Sequence, residues 1–396
     1  MNTERPAVTV LCGFLGAGKT TLLRHLLGQA EGRRWAVVVN DVAAINIDAA
    51  EVRARGGDTA ATRDVVELGN GCVCCSSKDE LAEAVVELAM SGNYEHVLVE
   101  TTGVAEPSAI ANLFLRRNPF GRALGDVAVL SALVTVVDAA CFSAEAEKQK
   151  ILNPKRLNPK GGERPVFELM MEQVECADVV LLNQCDRAGE DELARVEEIV
   201  RGLNTRAEVV RTEHGQVASE FLLGRVRFDA KGTLGAPRWV RELNQLAQIS
   251  NAKDAVPGEG VMRSAMARAT KPRHEVKYGI TSFVWRARRP LVREKFYALL
   301  ETGAPGLLRA KGFFWTREQP DEMQFMSVAG GVVRYDTLNY WWAAMIENGK
   351  ARREEMPERV STLWEEPFGD RRQELVFIGT GLDEAGIRAA LERCLA

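Results

Sequence analysis

The sequence predicts an α/β fold in which a mostly parallel sheet is covered by helices, with a smaller α+β domain at the C-terminal end. The chain of 396 residues exceeds one typical domain. Residues 1–228 alternate short apolar runs with helical patterns, which is the rhythm of parallel strands joined by helices. Residues 273–396 contain strand-like runs that helices separate less regularly, and residues 229–272 are predicted to be a linker region.

The individual elements are predicted from apolar runs and from helical periodicity. In the first domain, strands are expected at residues 7–11, 36–40, 96–100, 133–138, 179–183 and 207–211, and helices at residues 20–27, 78–90 and 190–203. In the second domain, strands are expected at residues 279–286, 312–316, 323–329 and 374–378, and helices at residues 291–300 and 384–394. The linker region contains a short helical piece at 239–249, and the polar stretch 145–165 is expected to be an exposed loop.

Composition and charge exclude several classes of protein. A net charge of −4 and a pI of about 5.8 argue against a general nucleic-acid or anionic-membrane binder. No apolar run approaches the roughly 20 residues that cross a bilayer. The N-terminus leads directly into the first strand, without a basic and then apolar signal segment. We therefore expect a cytoplasmic protein with no nucleic-acid and no membrane partner.

Residues 13–20 match the phosphate-binding pattern G-x-x-x-x-G-K-[ST], between an apolar strand and an amphipathic helix. Glycines in this pattern let backbone N–H groups turn inward around phosphates. Lys19 is expected to neutralise the β and γ phosphates, and the Thr20 hydroxyl to coordinate Mg²⁺. A chance glycine-rich turn, the alternative, would not need both flanking elements, so a P-loop NTPase domain is predicted. The residues expected to hold the nucleotide are Gly13, Gly16, Ala17, Gly18, Lys19, Thr20 and Thr21.

The base is predicted to be guanine because residues 183–186, Asn-Gln-Cys-Asp, follow an apolar strand and resemble the N-K-x-D recognition motif. Two carboxylate oxygens of Asp186 can accept hydrogen bonds from guanine N1–H and from its exocyclic amine, a donor pair that adenine lacks. Asn183 is expected to brace the loop and approach N7. Gln184 replaces the usual Lys, so it keeps an aliphatic stem but supplies no charge. A plain strand-ending Asn/Asp turn is the alternative.

Three further residues are candidates for sensing the γ-phosphate and its metal ion. Glu100 ends a predicted strand and is expected to hold Mg²⁺ together with Thr20. Gly103, in the Thr-Thr-Gly that follows, is expected to bring its N–H close to the γ-phosphate. Asp41 follows the second strand and is a candidate Mg²⁺-side or metal-relay carboxylate, or else a helix cap. Together with Lys19 and Thr20, these residues form the predicted catalytic set.

Three cysteines, Cys72, Cys74 and Cys75, crowd into a Gly-, Asn- and Ser-rich stretch. Three thiolates can converge on one ion and leave a fourth position open, which suits transfer of Zn²⁺ better than a sealed structural site. Soft thiolates also suit Cu(I) and iron. Disulfide exchange among clustered thiols is the redox alternative. The remaining cysteines are expected to be small buried hydrophobic residues; they are Cys12, Cys141, Cys176, Cys185 and Cys394.

Together these motifs resemble the CobW-type metallochaperone GTPases, a P-loop family. In the first domain the likeness lies in GFLGAGKTTLL (13–23), NDVAAINID (40–48), GCVCC (71–75), ETTG (100–103) and NQCD (183–186). In the second domain it lies in YGITSFVWRARRP (278–290), RAKGFFW (309–315) and FGDRRQELVFIG (368–379). The C-terminal stretches are most similar to the branch associated with zinc homeostasis. Relatives that activate nitrile hydratase share the same architecture.

The resemblance implies weak intrinsic hydrolysis of GTP to GDP, a transition metal carried at Cys72, Cys74 and Cys75, and a C-terminal domain that recognises a client apo-enzyme. Zinc is the expected metal, and a nitrile hydratase activator that inserts iron or cobalt is the first alternative. A GTP-dependent assembly switch with a structural metal is the second. Nothing in the sequence sets the oligomeric state.

Two groups of residues in the second domain are candidates for the client-binding surface. The first is the pair Trp341-Trp342, because Trp and Arg are enriched at binding hot spots. The second is basic and consists of Arg286, Arg288, Arg289, Arg309 and Lys311. The alternatives are a core position for the aromatic pair and an ordinary solvated strand face for the basic group.

Overall fold

The computed structural model describes the chain at residues 5–30, 32–39, 65–67, 76–115, 117, 121–151, 156–158, 166–229, 280–329 and 332–396. Several predictions fall outside these residues. They concern Asp41, the cluster formed by Cys72, Cys74 and Cys75, and the helical piece at 239–249.

Two β-sheets organise the chain, and their strands are numbered along the sequence. The first sheet contains β1 (Ala7–Cys12), β2 (Trp35–Val39), β3 (Val65–Glu67), β4 (His96–Glu100), β5 (Val129–Asp138), β7 (Val179–Asn183) and β8 (Glu208–Arg211). The second contains β6 (Arg156–Asn158), β9 (Ile280–Ala287), β10 (Leu307–Thr316), β11 (Gln319–Ala329), β12 (Val332–Tyr340) and β13 (Gln373–Thr380). The first sheet is parallel, in the order β3-β2-β4-β1-β5-β7-β8. The second runs β6-β12-β11-β10-β13-β9 and is antiparallel apart from the β6–β12 pair.

Helices join most of these strands. In chain order they are α1 (Lys19–Gly28), α2 (Ser76–Ser91), α3 (Pro107–Leu115), α4 (Ala139–Ile151), α5 (Val166–Cys176), α6 (Glu190–Leu203), α7 (Ser219–Leu223), α8 (Arg293–Thr302), α9 (Trp342–Glu347), α10 (Glu358–Ser361) and α11 (Glu384–Arg393). Within the described ranges, none of the helices has both the length and the apolar character that a bilayer crossing needs.

The first sheet is buried on both faces, which explains why its strands read as unbroken apolar runs. Successive side chains of a strand point to opposite faces. Accordingly, Val97 and Val99 of β4 lie in one hydrophobic cluster with Leu81 and Val85 of α2. Leu98 lies in the other cluster, with side chains of α1 such as Leu22, Leu23 and Leu26. The predicted α/β architecture with a covered parallel sheet is confirmed.

One face of the second sheet packs against α8 and α11. Its hydrophobic cluster includes Trp285 and Phe314 from the strands, Phe296 from α8 and Leu391 from α11. Each of these side chains is at most 1% exposed. A separate, mainly antiparallel sheet with helices on it is the smaller α+β domain that the sequence predicts.

The stretch 145–165, predicted to be an exposed loop, contains regular structure. Helix α4 extends to Ile151, and β6 pairs in parallel with the start of β12. The chain accordingly divides into one compact unit of residues 1–144 and 169–238 and another of residues 145–168 and 239–396. The sequence had assigned 145–168 to the first domain. The loop prediction was wrong at residues 145–151 and 156–158, because a short polar strand that pairs with a strand far along the chain has no apolar run of its own.

The predicted aromatic anchor and basic patch are also corrected by burial. Trp341 is fully buried, and its Nε1 donates a hydrogen bond to the Glu322 carbonyl at 2.9 Å. Arg309 is 1% exposed and Lys311 is 9% exposed, so neither belongs to an open basic surface. Trp341 therefore occupies a core position, which was the alternative interpretation of the aromatic pair.

A buried histidine gives the first unit a specific dependence on pH. His96 begins β4, and its Nε2 lies 2.8 Å from the Thr9 hydroxyl. Burial lowers the pKa of His96 to about 4. The unfolded chain therefore binds a proton that the folded chain does not, and the free energy of unfolding falls as the pH drops from about 6.5 towards 4.

Between pH 7 and pH 5 this linkage is expected to cost about 2 kcal/mol of stability. Urea unfolding of the wild type and of His96→Gln at both pH values measures it, since Gln keeps a polar contact with Thr9 but does not titrate. The wild type should lose about 2 kcal/mol more than the variant on acidification. An equal loss in both proteins would contradict the assignment to His96.

Candidate nucleotide-binding site

The loop between β1 and α1 requires glycine at defined positions. Gly13, Gly16 and Gly18 have φ values of 145°, 77° and 102°, in the region that L side chains rarely adopt. A Cβ on Gly13 would lie 2.3 Å from the Val136 carbonyl oxygen, and one on Gly18 would lie 2.4 Å from Asn183 Nδ2. The loop is therefore pressed against the carboxyl ends of β5 and β7, the edge at which ligands bind in open parallel sheets.

Lys19 points into this loop. Its Nζ donates hydrogen bonds to the carbonyl oxygens of Gly13 at 2.9 Å and Phe14 at 3.2 Å, and the residue is 8% exposed. These two carbonyl oxygens orient the ammonium group. The arrangement therefore presents a positive charge inside a glycine loop at a helix N-terminus, which is a favourable place for phosphate oxygens. Thr21 lies exposed in the first turn of α1.

The predicted Mg²⁺ pair is brought together by the fold. The Thr20 hydroxyl of α1 donates a hydrogen bond to Glu100 Oε1, at the end of β4, at 2.6 Å. Glu100 is only 2% exposed. A hydroxyl and a carboxylate in contact are hard oxygen ligands, which is the donor set that Mg²⁺ takes in nucleotide sites. The residues present therefore fit this cation.

The turn after β4 lies against the phosphate loop. The Thr101 backbone N–H and hydroxyl both donate to the Leu11 carbonyl, each at 3.1 Å. A Cβ on Gly103 would lie 2.7 Å from the Leu15 backbone nitrogen and 2.6 Å from Leu15 Cγ. Only glycine permits this approach, so the turn after β4 is in direct contact with the phosphate loop.

Gln173 fixes the same turn and escaped the sequence analysis. Its side-chain Nε2 donates to the carbonyl oxygens of Gly103 at 3.1 Å and Ala105 at 3.2 Å. The backbone carbonyl of Gln173 accepts a hydrogen bond from the Thr135 hydroxyl at 2.7 Å. The residue is 2% exposed, so this amide replaces water for two backbone carbonyls. The available signal was a single glutamine among the apolar residues of the segment that forms α5.

Asn183 ties together three segments of the site. Its Nδ2 donates to the Ala17 carbonyl at 2.9 Å, and its Oδ1 accepts from the Gly215 backbone N–H at 2.9 Å and the Thr212 hydroxyl at 3.2 Å. The residue is 1% exposed. These three hydrogen bonds connect the phosphate loop, the end of β7 and the turn after β8. Asp186 lies exposed in the following short 3₁₀ turn, at the same edge of the sheet.

The turn after β8 is a second feature that the sequence analysis missed. It contains His214 and Gly215, which have φ values of 53° and 69°. Its Thr212 carbonyl accepts the Cys185 backbone N–H at 3.3 Å, beside the predicted guanine-recognition residues. A non-glycine residue at positive φ is costly and tends to mark functional positions. The usable signal was the polar Thr-Glu-His-Gly sequence directly after a parallel strand.

Cys12 and Cys394 are buried, as expected for small hydrophobic residues. Burial raises the pKa of the Cys12 thiol, which underlies the phosphate loop, to about 12. This thiol therefore stays protonated at neutral pH and is a poor metal ligand. Cys141, Cys176 and Cys185 are only partly buried. Among the residues that the structure describes, no three His, Cys, Asp or Glu side chains form a metal-binding group.

Comparison with known proteins gives matches along nearly the whole chain. Residues 7–211 match the family model for "CobW/HypB/UreG, nucleotide-binding domain", and residues 280–395 match that for "Cobalamin synthesis protein cobW C-terminal domain". The "Zinc-regulated GTPase metalloprotein activator 1" of Dictyostelium discoideum is 32% identical over 406 residues, which cover 99% of this chain and 80% of that protein. The "Zinc chaperone YjiA" of Escherichia coli is 29% identical over 399 residues, 97% of each. The crystal structure of Zn(II)-bound YjiA GTPase from E. coli aligns over 100% of both chains with 22% identity and a TM-score of 0.41.

Proposed function

Because this chain belongs to the CobW/HypB/UreG family, we propose that it is a GTP-hydrolysing metallochaperone. In this proposal it binds a transition metal at Cys72, Cys74 and Cys75 and delivers the metal to a client apo-enzyme. Zinc is the proposed metal, since the relatives described above are named for zinc. Three thiolates need a reducing compartment to stay free for metal, so we place the protein in the cytoplasm.

The contact between Thr20 and Glu100 is the observation that carries the nucleotide half of the proposal. It joins the helix that starts at the phosphate loop to the end of β4, the strand beside β1 in the first sheet. Thr20 and Glu100 would hold Mg²⁺, which would offset the negative charge of the nucleotide phosphates. Lys19 would supply the second positive charge from inside the loop.

Guanine selection is assigned to the turn after β7. Asp186 would accept two hydrogen bonds from the guanine edge, and Asn183 would hold the turn against the phosphate loop. The hydrogen bonds of Asn183 to Ala17 and Gly215 support these two roles, because they bind the Asn183 side chain to the protein itself.

Hydrolysis is assigned to the turn after β4 and to Asp41. Gly103 would donate its N–H to the γ-phosphate, and Gln173 would keep the turn in place through the Gly103 and Ala105 carbonyls. Loss of the γ-phosphate would release this turn. In the sequence the thiolate cluster lies between Asp41 and Glu100, so metal affinity and nucleotide state would be linked reciprocally.

Competitive metal titration of the reduced protein tests this function. Zn²⁺, Fe²⁺ and Co²⁺ are titrated with a non-hydrolysable GTP analogue bound and then with GDP bound. We expect Zn²⁺ to bind most tightly with the analogue, to bind more weakly with GDP, and to lose its site when Cys72, Cys74 and Cys75 are replaced by Ser. The matched control is Cys141→Ser, a partly buried cysteine at the start of α4.

The outcomes separate the alternatives. Equal metal affinity in the two nucleotide states would indicate a GTPase with a structural metal and would overturn the chaperone mechanism. Preference for Fe²⁺ or Co²⁺ over Zn²⁺ would favour an activator of the nitrile hydratase type. Reversible oxidation of the three thiols without stable metal binding would favour a redox protein. Competition of ATP with GTP in the wild type and in Asp186→Ala tests the assignment of the base.

A further inference from the structure

The side chain of Gln184 spans the distance between the base-recognition turn and the phosphate loop. Gln184 has a φ of 59°, a left-handed conformation that is uncommon for a residue with a side chain. Its Nε2 donates a hydrogen bond to the Gly16 carbonyl at 2.8 Å. A nucleotide held by its base at Asp186 and by its phosphates at the loop would lie along this same line.

Arg187, one residue after Asp186, is held in place by two acceptors. Its Nη1 donates a hydrogen bond to Gln184 Oε1 and lies 3.6 Å from Asp138 Oδ2, at the end of β5. Even so, the Arg187 side chain is 62% exposed. An exposed arginine normally samples many rotamers, so two contacts from separate elements make its orientation specific.

The two contacts of Arg187 hold a positive charge at this turn, in which Gln184, the second residue of the Asn183–Asp186 motif, is neutral. Gln184 carries the hydrogen bond to the phosphate loop but is neutral, whereas Arg187 brings a guanidinium to the free oxygen of the same amide. A guanidinium is planar, always charged and well suited to stack on an aromatic ring. In the proposed site Asp186 binds the edge of guanine. The side chain of Arg187, the next residue, contacts Gln184 and would therefore lie beside the face of the base.

We propose, on the basis of the guanine nucleotide site described above, that Arg187 is the base-stacking cation of this site, oriented by Gln184 and Asp138. It acts on the base and not on the γ-phosphate. Its contribution therefore appears in nucleotide affinity and in KM, while kcat depends on the groups that would contact the phosphates. Stacking does not distinguish purines, so the preference for GTP over ATP remains with Asp186.

Titration with fluorescent GDP, and GTP hydrolysis followed by phosphate release, test the proposal. Arg187→Ala should weaken GDP binding about tenfold, consistent with a partly desolvated cation–π contact, and should raise KM for GTP with kcat retained. Moving the charge by adding Gln184→Lys to Arg187→Ala should restore most of the affinity. The matched control is Arg201→Ala, an arginine of α6 that is 56% exposed and paired with Glu197.

Three results would overturn the inference. These are GDP binding by Arg187→Ala equal to that of Arg201→Ala, a fall in kcat with unchanged KM, and no recovery in the double variant. A melting temperature of Arg187→Ala equal to that of the wild type excludes a structural cause for its weaker binding. Failure of the wild type to bind GDP would overturn the proposed function as well, whereas wild-type binding that Arg187→Ala retains would overturn the inference alone.

Discussion

Replacing Lys19 by methionine is expected to lower the rate of GTP hydrolysis by about a hundredfold or more, the usual effect of removing one charged group that stabilises a transition state. Methionine keeps the length and burial of the stem. It removes the charge, and with it the two hydrogen bonds to the Gly13 and Phe14 carbonyls. Since we propose that this charge binds the phosphates, we expect the affinity for GTP to fall as well. Phosphate release and calorimetric titration with a non-hydrolysable GTP analogue measure the two effects.

The control for this variant is Lys295→Met, at an exposed position of α8. It removes an equal charge from the second unit and should leave both measurements unchanged. Circular dichroism and thermal melting establish that Lys19→Met is folded. Hydrolysis by a folded Lys19→Met at the wild-type rate would remove Lys19 from the catalytic set.

Gly306→Ala is expected to reduce the free energy of unfolding of the second unit by about 3 kcal/mol, from steric overpacking and a left-handed backbone together. Gly306 has a φ of 75°, and a Cβ there would lie 2.0 Å from the Thr380 carbonyl oxygen. The Thr380 N–H also donates to the Gly306 carbonyl at 2.9 Å, so the two backbones cannot separate without losing this bond. Chemical denaturation followed by tryptophan fluorescence measures the change.

The matched control is Gly349→Ala. Gly349 has a φ of 64°, but a Cβ there would meet no atom within 4 Å. This variant isolates the backbone strain, which is expected to cost about 1 kcal/mol. GDP binding should persist in both variants, because neither glycine belongs to the nucleotide site. Equal destabilisation by the two substitutions would show that the close approach to Thr380 carries no energetic weight.

The parts of the fold that the sequence predicted are those in which a local pattern carries the information. Strands β4 and β7 are continuous apolar runs, and α6 has both a clear apolar stripe and acidic residues in its first turn. Strand β12 was missed because its second half, from Asp336 to Tyr340, is polar or exposed and lacks a regular alternation. Edge positions of a sheet do not need an apolar run, so their sequences give little signal.

In the candidate site, too, some residues could be predicted from a local pattern and others could not. The phosphate loop and the Asn183–Asp186 turn could be predicted because each is a short motif with a fixed spacing that a single sequence displays. Gln173 and the turn after β8 were not found, since their roles depend on which helix and which loop lie beside the turn after β4 and beside Asn183. Such neighbours are set by tertiary packing, which a single sequence does not display.

The steric fit between Gly18 and Asn183 has a consequence for the protein during its synthesis. The loop at residues 13–20 leaves the ribosome early, yet the Asn183–Ala17 hydrogen bond joins residues 166 positions apart. The bonds from Gly215 and Thr212 require still later residues. A nascent chain that ends before β7 thus lacks the support that shapes the loop. We therefore expect competence to bind nucleotide to arise only after the last strands of the first sheet have been translated and paired.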